Sequence, residues 1–387
     1  MWKLLANGLH PAQNPLDAGA SLSTAAILRR WVTGILASWA VVWAAGPSVV
    51  NSILVRVHDP ALGVATLRPG DLIRWRSEGW GNTWVGPHGL PGWQPLDAAA
   101  RIVIWGDSQV EGVCVHDPQK IHRQVIAIAQ AEQGLQVDCI PMGRSGADAL
   151  LWRDLMDEAQ SLWDPTLHVW VITDLSDLTV LARGDNQRPR PWQTSPGWVR
   201  TAAVLRAEAL FAAGRRVLLS PVDGQRRRLS FTLGPRPAHA PASEQASARL
   251  AADGEHRSTA VRDAQLAETV AAEITQLSAK YGGTLVILYA PAVPTLGRPL
   301  ETSHPDDALF ERIRDALPSE EIPVIDMRSE FVRLWSIQRR LPRGFHNGVP
   351  GYGHLNVDGN RLIAQAIAGL ASEQLDETLR PGPAGAD

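Results

Sequence analysis

Cysteine is scarce: Cys114 and Cys139 are the two in 387 residues. A pair excludes a four-cysteine metal cage and a disulfide-stapled scaffold. It leaves one disulfide in an oxidising compartment or two free thiols. Charge is thin as well, with Lys, Arg, Asp and Glu making 20% of the chain and a formal net charge of −3. A general nucleic-acid binder needs a concentrated basic surface, so no nucleic-acid partner is expected. No internal repeat is visible, and His116, His122 and His168 lack the spacing of metal ligands. No metal and no cofactor is therefore expected. Apolar residues, at 45%, are ordinary for a chain that folds around a core.

One long apolar run stands out against this background. Residues 31–55, "WVTGILASWAVVWAAGPSVVNSILV", hold no charged side chain and are flanked by Arg29-Arg30 and Arg56. About 20 apolar residues suffice to cross a bilayer as a helix. The arginine pair before the run places residues 1–30 in the cytoplasm under the positive-inside rule. The expectation is an uncleaved membrane anchor over 31–55, with the remainder of the chain outside the cytoplasm, periplasmic or at the cell surface. A buried helix of the globular domain is the alternative.

Residues 57–100 are rich in Gly, Pro and Trp, which predicts turns and short strands. Trp75, Trp80, Trp84 and Trp93 either pack a small satellite core or line a sugar or lipid surface. From residue 101 short apolar runs alternate with amphipathic stretches. The runs are "RIVIWG" (101–106), "LQVDCIPM" (135–142), "LHVWVIT" (167–173), "TLVILYA" (284–290) and "IPVIDM" (322–327). Helical patterns over 121–133 and 262–282 lie between them. Such alternation predicts an α/β fold with a parallel sheet covered on both faces, over 101–370. Reactive groups then collect at the carboxyl ends of the strands.

An insertion is expected at 183–260. Its first part, 183–236, carries eleven arginines against Asp185, Glu208 and Asp223, a balance of 11 − 3 = +8. That stretch reads as a solvated face or as a surface for anionic lipid or an acidic polymer. The tail, 371–387, is expected to be flexible.

Gly106-Asp107-Ser108 closes the first run at a strand exit. A serine there is either a helix-cap residue or a nucleophile awaiting a base. Near the other end, "GYGHLNVDGNRLIAQAIAGL" (351–370) sets His354 in a loop before a helix starting near Asp358. Together these stretches resemble the SGNH/GDSL hydrolase superfamily, over about 100–370. "GDSQVEGVCVHD" is similar to its nucleophile block, "PMGRSGAD" to the block with an oxyanion-hole glycine, "VITDLSDL" to the third block and "GHLNVDGNRLIA" to the histidine block. "NTWVGPHGLPG" is similar to a lead-in of secreted or membrane-anchored bacterial members.

The resemblance implies a flavodoxin-like three-layer sandwich after an N-terminal membrane helix and a β-rich lead-in. It implies Ser108 as nucleophile and His354 as base, with an oxyanion held by Ser108, Gly146 and Thr173. Asp107, Asp174 and Asn356 take supporting places. The activity implied is hydrolysis of a small-molecule or glycan O-acyl ester through an acyl-serine. Transfer of an acetyl group to a cell-surface glycan is an alternative, as is a catalytically dead binding or assembly protein. Two departures bear on this choice. Thr173 stands where the family offers an Asn side chain. Gly351 stands three residues before the histidine, where the family has its Asp, so a main-chain carbonyl near Gly351 or a distant carboxylate such as Asp326 is expected to orient His354.

Overall fold

A computed structural model describes residues 23–49, 52, 54–98, 100–183, 252–292, 306–348 and 350–379. It divides into two units, Met1–Gly46 and Pro47–Asp387. In the first unit, helix α1 (Thr24–Val49, running just past the division) contains a stretch, Thr24–Val42, long and apolar enough to cross a membrane. None of that stretch is buried. The helix starts earlier than the span expected at 31–55 and takes in Arg29 and Arg30. It also stops earlier, because Ser52 and Val55 already pair with the lead-in: Ser52 N–H donates to the Arg74 carbonyl (2.7 Å) and Arg68 N–H to the Val55 carbonyl (3.0 Å). Residues 1–22 of the expected cytoplasmic tail lie outside the described residues.

The second unit opens with two antiparallel hairpins. Strands β1 (Arg56–Asp59) and β2 (Val64–Leu67) form one, and β3 (Leu72–Trp75) and β4 (Gly81–Trp84) form the other. The tryptophans of this lead-in differ in burial. Trp93 is buried, with its indole N–H donating to Asp138 at 3.1 Å, whereas Trp80 and Trp84 are exposed.

A five-stranded parallel sheet follows in the order β6-β5-β7-β8-β9. Its strands are β5 (Ala100–Gly106), β6 (Val137–Gly143), β7 (Leu167–Ile172), β8 (Leu285–Tyr289) and β9 (Val324–Asp326). This is the doubly wound, flavodoxin-like order, with the first strand inside the second. Side chains alternate between two cores, as the pleat requires. Val103, Trp105, Trp170 and Ile287 point into one. Ile102, Ile104, Val169 and Leu288 point into the other. The first core is closed by α4 (Ala149–Trp163), α5 (Ser176–Arg183), α6 (Ala252–Lys280) and α7 (Asp307–Ala316). The second is closed by α3 (Ile121–Gln133), α8 (Arg328–Gln338) and α9 (Val357–Leu379). A single turn of helix, α2 (Ser108–Glu111), sits at the end of β5.

Two expected boundaries move. Of the insertion expected at 183–260, residues 184–251 lie outside the described residues, and from Ala252 the chain is already helical. The expected flexible tail is helical as far as Leu379, because Ile363, Ala364, Ile367, Ala368 and Ala371 continue one buried face past Leu370. Residues 380–387 lie outside the described residues.

Candidate active site

The sheet delivers Ser108 to its carboxyl edge by close packing. Gly106 ends β5 and Gly143 ends β6, and both face α2. A Cβ on Gly106 would come within 2.3 Å of Val110 Cγ2, and one on Gly143 within 2.2 Å of the Glu111 nitrogen. Glycine at both places lets the helical turn sit directly on the strand ends. Asp107 caps that turn by accepting from the Gln109 N–H at 2.8 Å. Burial raises its pKa against the pull of Gln109, Arg343 and His354.

His354 arrives from a loop of turns between α8 and α9. Its Nε2 lies 3.0 Å from Ser108 Oγ. Leu355 N–H, next along, donates to the Gln109 side chain at 2.7 Å, tying the histidine loop to the residue after the serine. On the opposite ring edge, Nδ1 lies 2.7 Å from Glu78 Oε2, while the His354 backbone N–H donates to Glu78 Oε1 at 2.8 Å. Ser108, His354 and Glu78 form an unbroken hydrogen-bonded chain.

No protein-family model matches the sequence, and no curated protein matches it. Solved structures do. An alpha/beta hydrolase enzyme from the metagenome of Lake Arreo, Spain, matches at 12% identity and TM-score 0.36, covering 72% of this chain and 96% of that one. A catalytic mutant of an acetylxylan esterase from Geobacillus stearothermophilus matches at 10% identity and TM-score 0.35, again over 72% and 96%. The lipase/acylhydrolase from Enterococcus faecalis matches at 12% identity and TM-score 0.34, over 74% and 100%.

Glu78 is the residue that sequence reasoning missed. It sits in "RSEGWGN", the turn joining β3 to β4, 276 positions before the histidine. The turn is clamped on both sides. Asn347 accepts from the Gly79 N–H at 2.8 Å and donates to the Arg76 and Gly79 carbonyls at 3.1 and 2.9 Å. A Cβ on Gly79 would lie 2.3 Å from the Cys114 carbonyl oxygen. The group at Nδ1 is thus a distant carboxylate, Glu78 of the lead-in, and neither a main-chain carbonyl near Gly351 nor Asp326. Asp326, the other residue expected to serve, is engaged by Arg328, with Nε within 3.0 Å of both carboxylate oxygens.

Electrostatics fix the proton positions. Burial opposes charge on Glu78, but the bonds from His354 and the nearby Arg343 hold its carboxyl below its ordinary range. Ionised, Glu78 can only accept, so Nδ1 carries a proton, and once the ring is neutral it is Nε2 that presents its lone pair to the serine hydroxyl. Burial disfavours the imidazolium as well, yet Cys114 and Glu78 outweigh it and push the His354 pKa up to about 10. Arg343, buried at 4% exposure, braces the loop by donating to the Gly353 carbonyl at 3.0 Å and the Ala290 carbonyl at 2.7 Å.

The remaining expected site residues fall into different places. Thr173, at the end of β7, turns its hydroxyl to Asp107 Oδ2 at 3.4 Å. Gly146 lies in an exposed turn at φ +76°. That turn is held by Glu111, which accepts from the Ser145 N–H at 3.1 Å and the Ser145 hydroxyl, and pairs with Arg56 at 3.0 Å. Asp174 accepts from the Ser176 N–H at 2.9 Å and starts α5. Asn356 accepts from the Asp358 N–H at 2.9 Å and donates to the Leu341 carbonyl at 2.7 Å, so it shapes the histidine loop. A small cleft lined in part by Arg56, Leu90, Glu111, Arg144 and Trp152 shares α2 with this site but contains neither Ser108 nor His354.

Gly353 gives the site its most exacting steric requirement. Its φ is +86°, and a Cβ there would lie 2.1 Å from Glu78 Oε1. Gly353→Ala is expected to push the carboxylate off the imidazole, and any activity that depends on that contact should fall by roughly 10²-fold, the scale of an ångström's misplacement. Far-UV circular dichroism measured beside the rate should stay at wild type.

Proposed function

We propose that this chain is a serine ester hydrolase working through an acyl-enzyme on Ser108. The observation that carries the reading is the hydrogen-bonded chain from Glu78 through His354 to Ser108. His354 Nε2 takes the hydroxyl proton as Ser108 Oγ bonds to the ester carbonyl carbon, and Glu78 stabilises the imidazolium that results. The carbonyl π electrons move onto oxygen. The N–H groups of Ser108 and Gly146 take that oxyanion, and Thr173 assists once its hydroxyl turns from Asp107. Collapse of the tetrahedral species breaks the bond to the leaving alcohol, which receives the proton from Nε2. Water, deprotonated by the same nitrogen, then attacks the acyl-serine and releases the acid. Asp107, Asp174 and Asn356 support this chemistry by shaping the loops around it.

The substrate class proposed is a small-molecule or glycan ester, an O-acetyl carbohydrate among them. Exposed aromatic rings two residues from two members of the relay, Trp80 and Tyr352, support a sugar ring as the alcohol. The chain is proposed to be anchored through α1, with the hydrolase outside the cytoplasm. The uncharged run after Arg29-Arg30 supports that orientation.

A fluorophosphonate ester tests the reading directly, since it phosphonylates only a serine whose hydroxyl is activated by a base. One adduct per chain is expected, on the peptide holding Ser108, and abolished in His354→Ala. A chain that stays unlabelled, or that is labelled equally without His354, overturns the proposal.

A further inference from the structure

Beside the relay lies a thiol that makes and breaks no bond in ester hydrolysis. Cys114 follows α2 in a buried loop, with 2% of its surface exposed. Its Sγ, a carboxylate oxygen of Glu78 and a ring nitrogen of His354 all lie within 4.8 Å of one another. Three separate loops bring these atoms together, and each is locked to the next. Gly79, beside Glu78, rests on the Cys114 carbonyl, and Gly353, beside His354, rests on the Glu78 carboxylate. A thiol, an imidazole and a carboxylate together are a donor set for a borderline-soft cation such as Zn²⁺. Mg²⁺ and Ca²⁺ favour all-oxygen shells and are poorly served by it.

We propose that Glu78, Cys114 and His354 bind a thiophilic divalent cation of the Zn²⁺ class, and that this cation switches the serine off. Regulation of this kind rests on the hydrolase reading above, while binding itself does not. A tetrahedral ion with bonds near 2.1 Å to nitrogen and oxygen and 2.3 Å to sulfur sets its ligand atoms about 3.3–3.6 Å apart. The sulfur, now within 4.8 Å of both partners, must settle at that spacing, and the His354–Glu78 contact opens from 2.7 Å. Cys114 releases its proton to solvent and binds as thiolate, with water completing the shell. Occupancy defeats catalysis through either ring nitrogen. At Nε2 the ion takes the lone pair that Ser108 needs. At Nδ1 it displaces the proton donated to Glu78 and breaks the relay.

Two readouts test the site on the full chain. Added Co²⁺ should produce a near-ultraviolet thiolate-to-cobalt absorption band in wild type, lost in Cys114→Ser and in Cys114→Ala and displaced by Zn²⁺. Micromolar Zn²⁺ should inhibit hydrolysis of p-nitrophenyl acetate, with EDTA restoring it and Mg²⁺ without effect. Measured against its own zinc-free rate, Cys114→Ser should need at least about 100-fold more Zn²⁺ for the same fractional inhibition, since even outer partners of a metal site are worth 10–100-fold in affinity. A wild-type chain with no cobalt–thiolate band, or a Cys114→Ser chain as zinc-sensitive as wild type, overturns the metal site and leaves the hydrolase reading standing. The band in a chain without hydrolysis overturns the hydrolase reading alone.

Discussion

Ser108→Ala should lower the hydrolysis of p-nitrophenyl acetate by about 10⁴- to 10⁶-fold, the range over which loss of a serine nucleophile leaves only the oxyanion site and binding. The size of the effect follows from covalency. Without Oγ there is no acyl-enzyme, and water must attack a carbonyl that the site merely polarises. The substitution should leave folding intact, because Ser108 is half-buried and the turn it begins is capped by the Asp107 side chain. His354→Ala should fall as far, and the double variant no further, since the two residues act as a unit. The check is a steady-state rate for each variant at matched concentration. A Ser108→Ala rate equal to wild type would remove catalysis from this site.

Glu78→Gln is expected to be the second great loss, about 10⁴-fold in kcat, as when a triad carboxylate becomes an amide. Shape is conserved, but the amide donates as readily as it accepts, so the ring can settle with its proton on Nε2 and present nothing to Ser108. The pH profile separates this cause from a folding defect. In wild type the imidazolium beside Glu78 persists up to about pH 10, so kcat/KM should climb with pH through the alkaline range. Removing the negative charge takes away one support of the imidazolium and lowers that pKa. The acid limb of the residual Glu78→Gln activity should therefore move toward the ordinary imidazole value of 6.5. A limb that stays in place would assign the shift to some other group.

Much of this molecule was legible because strand and helix periods are local. The run 101–106 became β5, the pattern over 121–133 became Ile121–Gln133, and both faces of each strand were apolar because both are covered. Ser108 and His354 were legible because each stands in its own short block, although 246 positions separate them. Glu78 was not. With Gly351 three residues before the histidine, the sequence points to a main-chain carbonyl there or to a distant carboxylate such as Asp326, and nothing in "RSEGWGN" announces a partner in the last tenth of the chain. Only the docking of the hairpin turn against the 112–115 and 343–354 segments makes that meeting. Glu111 escaped notice similarly, since its bonds to Arg56 and Ser145 exist only after the strand ends come together. The helix ends at Ala252 and Leu379 eluded composition because low complexity does not forbid a helix.

The carboxylate rides on a ribbon of two four-residue strands outside the sheet that carries the nucleophile. Such a ribbon is marginal by itself and depends on its neighbours for order. Its lifting away would part Glu78 from His354 while the five-stranded sheet stayed in place, so any activity that needs that contact doubles as a gauge of whether the ribbon is seated.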